Sequence, residues 1–125
     1  MEVLLDTNFI LTCVKQKLDF VSLANDLILD EIEWVVPYEV LDELSDLSTR
    51  IGMTTRDKES ARVGISLLES LHPKKIRVGN KNVDDGIVNY TKNKKIILAT
   101  LDKGLRSRIT NKILSIRGRQ KLELV

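Results

Sequence analysis

EVLLDTN, residues 2–8, sets the reading of this chain: a short apolar run, Glu2 to Leu5, stops abruptly at Asp6-Thr7-Asn8. A run with no polar alternation fits a strand buried on both faces, as in a parallel sheet. Further runs of the same kind follow at Trp34 to Pro37, Lys75 to Val78, Lys95 to Ala99 and Ile113 to Ile116. The closing KLELV alternates and suits a short edge strand or an extension of the ladder. Between the runs the apolar residues recur at helical spacing: Leu18 to Ile28, Val40 to Leu47, Ala61 to Leu71, and Val83 to Thr91. Pro37 stands near one helix start, His72-Pro73 ends another, and Asn80 or Asn82 caps the fourth. A short fifth helix is expected over Gly104 to Asn111. Arg50 to Asp57 reads as a flap or a helix connection. This βα alternation predicts one α/β domain over residues 1–125, a three-layer α/β/α sandwich around a mostly parallel five-stranded sheet with right-handed crossovers.

Composition narrows the function classes. A chain of 125 residues with 42% hydrophobic content can bury its own core. Cys13 is the only cysteine, which excludes an intrachain disulfide and a cysteine zinc cluster, and its apolar surroundings predict a small buried side chain. No stretch approaches the roughly 18 apolar residues that span a bilayer, and no basic leader precedes the first strand, so the expectation is a cytoplasmic protein without a membrane partner. Trp34 and Phe9 are expected in the core. The net charge of +2 hides an asymmetry: residues 1–49 hold 2 Lys/Arg against 11 Asp/Glu, and residues 50–125 hold 18 against 7. A basic half points to a polyanion such as RNA, with Lys and Arg neutralising phosphates.

In an open parallel sheet, ligands bind beyond the carboxyl ends of the strands. Asp6 follows the first strand, Thr100 and Asp102 follow the fourth, Asp84 and Asp85 open the helix before it, and Glu43 lies in the helix after the second strand. Each has a plainer reading, as a helix cap, a helix-dipole partner or a solvent-facing acid. Jointly they bring carboxylates from four segments to one end of the sheet. Such a cluster is self-repelling, and a hard divalent cation such as Mg2+ or Mn2+ reconciles it. The chemistry is then hydrolysis of a phosphodiester by a metal-activated water, with no nucleophilic side chain. The single histidine, His72, reads as a surface or capping residue.

LLDTN (residues 4–8), VVPYEVLDEL (35–44), VDDGIV (83–88) and ILATLDKGLRSRI (97–109) resemble, in order and spacing, the four acidic motifs of the PIN-domain nucleases. The resemblance implies a Rossmann-like sandwich and a metal-dependent endoribonuclease using Mg2+ or Mn2+. It implies Asp6, Glu43, Asp84 and Asp102 as metal ligands and catalytic acids, with Asp85 as an alternative to Asp84, supported by Thr7, Asn8 and Thr100. Gly104 stands where members often carry a further acid. Lys103, Arg106 and Arg108 are the expected RNA contacts, and Lys92, Lys94, Lys95, Arg117, Arg119 and Lys121 extend the basic surface. Aromatic residues make up only 4% of the chain, which favours backbone recognition over base stacking. DKGLRSRI is more similar to PIN proteins of ribosomal-RNA processing than to the toxins of toxin–antitoxin pairs. The partners implied are RNA, a second copy in a homodimer, and a ribosome-assembly factor or an antitoxin. A non-cutting PIN-like scaffold for RNA or protein is the reading of a different class. A phosphoacceptor receiver domain is disfavoured, because no acidic pair follows the first strand and no Asp follows the third.

Overall fold

The computed structural model describes residues 1–79 and 81–125. In chain order it contains β1 (Glu2–Leu5), α1 (Thr7–Lys15), α2 (Phe20–Leu27), β2 (Glu33–Pro37), α3 (Tyr38–Thr49), α4 (Thr55–Leu71), β3 (Lys74–Ile76), α5 (Val83–Thr91), β4 (Ile96–Ala99), α6 (Lys103–Arg106), β5 (Ile113–Arg117) and β6 (Lys121–Leu124). The strands form one sheet in the order β3-β2-β1-β4-β5-β6. All neighbours are parallel except β6, which returns antiparallel on β5. The sheet therefore has six strands where five were expected. Leu122 alternates into the core while Lys121 faces solvent, so the closing segment pairs fully with β5.

Alternation along each strand divides the core into two layers. Val3, Leu5, Trp34, Val36, Ile97 and Ala99 face α1 to α4. Leu4, Val35, Ile96, Leu98 and Ile113 face Ile87 of α5 and Leu105 of α6. Helices thus cover both faces, which explains why β1 and β4 carry no polar residue in their middles. Phe9, Phe20 and Trp34 stack edge to face through the larger layer, with centroids 5.7 and 5.3 Å apart.

Several boundaries differ from the sequence expectation. Residues 7–15 form a helix, in line with the plainer reading of Asp6 as a helix cap: Asp6 is its N-cap, and its carboxylate accepts the Thr7 N–H. The helix expected from Leu18 starts after Asp19, whose carboxylate caps it through the Ser22 N–H. Arg50 to Asp57 is a connection whose last residues already belong to α4, capped by Thr54. β3 ends at Ile76 because the Glu39 carboxylate takes the Val78 and Gly79 N–H groups, at 3.3 and 3.2 Å, out of the ladder. The short fifth helix stops at Arg106, and Asn111 instead ties the α5–β4 turn by donating to the carbonyls of Thr91, Lys94 and Ile96. Asn82 caps α5; Asn80, the other expected cap, lies outside the described residues.

Cys13 is buried, and burial pushes its thiol up to about 12. A thiol reagent added at pH 8 is therefore expected to label Cys13 only as the chain unfolds, with the labelling rate following the unfolding transition in urea.

No helix among the described residues is long and apolar enough to cross a membrane.

Candidate active site

The strand order reverses between β1 and β4, so their carboxyl ends flank a crevice at the switch point of the sheet. The ladder runs one residue past each strand: the Asp6 N–H donates to the Ala99 carbonyl at 3.1 Å, and the Thr100 N–H to that of Leu114 at 3.2 Å. Asp6 and Thr100 are thereby fixed side by side by the backbone. The Thr100 hydroxyl donates to Asp6 Oδ2 at 2.7 Å and accepts the Asp102 N–H at 3.1 Å. Asp6 Oδ1 accepts the Thr7 N–H at 2.9 Å, and the Thr7 hydroxyl donates to Glu43 Oε2 at 3.1 Å. An unbroken line of bonds therefore runs Glu43–Thr7–Asp6–Thr100–Asp102 across α3, β1 and β4.

Burial lifts the Asp6 carboxyl above its ordinary range. The bonds from Thr100 and Thr7 oppose that shift, while the negative charges of Asp84 and Glu43 add to it. Asp6 is 8% exposed. Among the described residues no Lys or Arg lies within ion-pair distance of Asp6, Glu43, Asp84 or Asp102. Asp85 differs from its neighbour: its carboxylate pairs with Arg108 Nη2 at 2.6 Å. Adjacent residues on a helix point about 100° apart. The burial of Ile87 against the sheet puts Asp84, three residues earlier, on the sheet-facing side.

The plainer roles are filled as well. Asp102 Oδ1 caps α6 through the Leu105 N–H at 3.1 Å. Asn8 is exposed and makes no side-chain hydrogen bond to the group among the described residues, because the second position of α1 turns it outward. Lys103 and Arg108 are exposed and Arg106 is half-buried, all close in sequence to Asp102. Sequence reasoning missed Glu39. The backbone N–H groups it holds, together with its own, outweigh its partial burial and keep its carboxyl below the usual range. A lone Glu among other acids on α3 carries no pattern that shows this.

Among the described residues, no three His, Cys, Asp or Glu side chains are drawn close enough together to form a closed metal site. The donor set is nonetheless all oxygen, negatively charged and uncompensated at Asp6, which suits a hard divalent cation.

A doubly covered parallel sheet whose switch point carries Asp6 and Asp102, with Glu43 joined to them through hydrogen bonds and Asp84 acting on Asp6 by its charge, defines a class of α/β domain with an acidic crevice. A family model described as a PIN-like domain matches residues 3–121, and the chain belongs to that family, whose members are generally nucleases. It is similar in structure to the PIN domain endonuclease Utp24, with a TM-score of 0.78 and 25% identity over 98% of this chain and 90% of that one. It also shares its fold with a chain of VapBC2 from Rickettsia felis, solved bound to a DNA fragment from the promoter, with a TM-score of 0.65 and 16% identity over 94% of this chain and 100% of that one. No curated protein matches the sequence.

Proposed function

We propose that this chain is an endoribonuclease that cleaves RNA phosphodiesters with the help of Mg2+ or Mn2+. The observation that carries the reading is the bonded line Glu43–Thr7–Asp6–Thr100–Asp102, with Asp84 adding its field, at a switch point where no basic side chain among the described residues pairs with these acids. Asp6, Glu43, Asp84 and Asp102 would hold the ion. When bound, the ion supplies Lewis-acid activation of a water and neutralises charge on the phosphodiester. Thr100 orients Asp6 and Asp102 together, and Thr7 orients Glu43. Lys103 and Arg106 contact the RNA backbone as cations beside the acidic crevice.

The likeness to Utp24, described as a PIN domain endonuclease, favours cleavage over a scaffold. The DKGLRSRI motif favours an RNA-processing enzyme, with a toxin nuclease as the second reading within the same chemistry. The test is cleavage of a mixed RNA pool across a Mn2+ titration by wild type and by Asp6→Asn. Metal-dependent cleavage by wild type, lost in the variant, is expected. RNA binding without cleavage at any Mn2+ concentration would show a scaffold and overturn the reading.

Thr100→Val should lower metal-dependent cleavage by about 10- to 100-fold, the range seen when a group supporting metal ligands is removed. It takes the donor from Asp6 and the acceptor from Asp102 at once. Thr100→Ser, which restores the hydroxyl, should recover most of the rate. Equal loss in both variants would show that packing around Thr100, and not its hydrogen bonds, matters.

A further inference from the structure

Resting on the ribonuclease reading, we infer that Asp85 is a phosphate mimic: it occupies the guanidinium of Arg108 until a phosphate of the bound RNA displaces it, and so sets how selectively the enzyme holds RNA. The two residues come from segments 23 positions apart, the first turn of α5 and the stretch after α6. Their contact, Arg108 Nη2 donating to Asp85 Oδ1 at 2.6 Å, is the only ion pair among the described residues that links these two acid-bearing segments. Asp85 adjoins Asp84 in the first turn of α5, and Arg108 follows α6, which Asp102 caps, so the pair ties together the two segments that carry those acids.

Carboxylate and phosphate present the same oxygen geometry to a guanidinium, so each competes for the other's place. The side chains are 45% and 51% exposed, and a pair so open to water is weak, which makes exchange feasible. Lys103 and Arg106 have no acid within ion-pair distance among the described residues and attract any polyanion. Arg108 is different: a phosphate must outcompete an anchored carboxylate to reach it. A phosphate already held at the crevice does so at close range, whereas RNA lying elsewhere on the basic surface does not. Asp85 thus acts through Arg108, weakening indiscriminate binding.

The test uses Asp85→Asn, Arg108→Ala and the double variant, with a fluorescein-labelled single-stranded RNA 12-mer. Binding is read by anisotropy in EDTA across a salt series, and cleavage by steady-state kinetics in Mn2+. Asp85→Asn should bind the RNA about two- to fivefold more tightly, the scale of an exposed ion pair. Its plot of log affinity against log salt should steepen by no more than about 0.7, the scale of one phosphate contact on a single strand, because Arg108 meets a phosphate in both bound proteins. In cleavage the change should fall in KM and not in kcat. Arg108→Ala should weaken binding and flatten the salt slope, and the double variant should match Arg108→Ala. Tightening that survives in the Arg108→Ala background would reduce Asp85 to a bare repelling charge and overturn the inference. So would a collapse of Mn2+-dependent kcat in Asp85→Asn, which would make Asp85 a metal ligand, or an unchanged affinity. Wild type that neither binds nor cuts RNA would sink the ribonuclease reading itself; wild type that cuts, beside an indifferent Asp85→Asn, would sink only this inference.

Discussion

Asp6→Asn is expected to abolish cleavage while making the metal-free protein more stable at neutral pH. The rate should fall by about three orders of magnitude, the scale lost when a preorganised electrostatic group is removed from an active site. The stability gain follows from the environment of the carboxyl, which burial and the nearby charges of Asp84 and Glu43 lift above its ordinary value. A carboxyl raised in the folded state binds its proton more tightly there than in the unfolded chain. Its contribution is fully present below the unfolded value of 3.8 and is lost as pH rises through the folded one. At pH 7 the ionised Asp6 therefore weakens the fold, and a neutral amide relieves it. The Tm of Asp6→Asn in EDTA should exceed that of wild type at pH 7, and the gap should close on acidification below 3.8. Saturating Mn2+ should raise wild type instead, by about 2.7 kcal/mol at a hundredfold excess over Kd, and leave the variant nearly unmoved. Identical melting curves at pH 7 with no response to Mn2+ would show that Asp6 carries no uncompensated charge, and the metal reading would fall with it.

Gly86→Ala should destabilise the fold and impair cleavage together, although alanine is the better helix former by about 1 kcal/mol. A Cβ at position 86 would meet the Val78 side chain at 2.8 Å and its carbonyl oxygen at 3.0 Å. Neither is the loose end of a flexible side chain. Val78 cannot easily give way, because Glu39 holds its N–H and that of Gly79 from the start of α3. The strain of overpacking is typically about 1–3 kcal/mol, so after the propensity gain the net loss should reach up to about 2 kcal/mol in urea denaturation. The alternative relief is for α5 to move off the sheet, which carries Asp84 away from Asp6. Cleavage at fixed Mn2+ should then fall about tenfold, with part of the loss recovered at higher Mn2+. A variant of unchanged stability and activity would show that the segment around Val78 yields freely and does not set the seat of α5.

The strands were legible because runs such as those at β1 and β4 are apolar on both faces, only four or five residues long, and end at polar residues, which suits a doubly covered sheet. α1 was legible at its Asp6 cap but not along its length: FILTCV is apolar without the polar gaps that mark a surface helix, and a helix buried on most sides has the periodicity of a buried strand. β6 lay between the two descriptions, since its alternation fits an edge strand, but its pairing with β5 depends on tertiary contact. The acids were legible as a set and less so one by one. Cap and site proved compatible, because Asp6 caps α1 and Asp102 caps α6 while both stand at the crevice. Which of Asp84 and Asp85 faces the sheet depends on the phase of α5, set by the Asn82 cap and the burial of Ile87; neither can be read from two adjacent aspartates. The contact between Asp85 and Arg108 was out of reach for the same reason, since sequence places both residues but not the angle between them.

The middle position of β1 has a consequence for synthesis. β1 is made long before one of its two neighbours, β4, which begins only at Ile96. Until that strand and the residues just after it have left the ribosome, Asp6 lacks Thr100 and Asp102 and half the crevice does not exist. An enzyme that cuts RNA would thus emerge inert beside the RNA-rich machine that makes it, and be armed only once β4 and the residues just after it are free to pair.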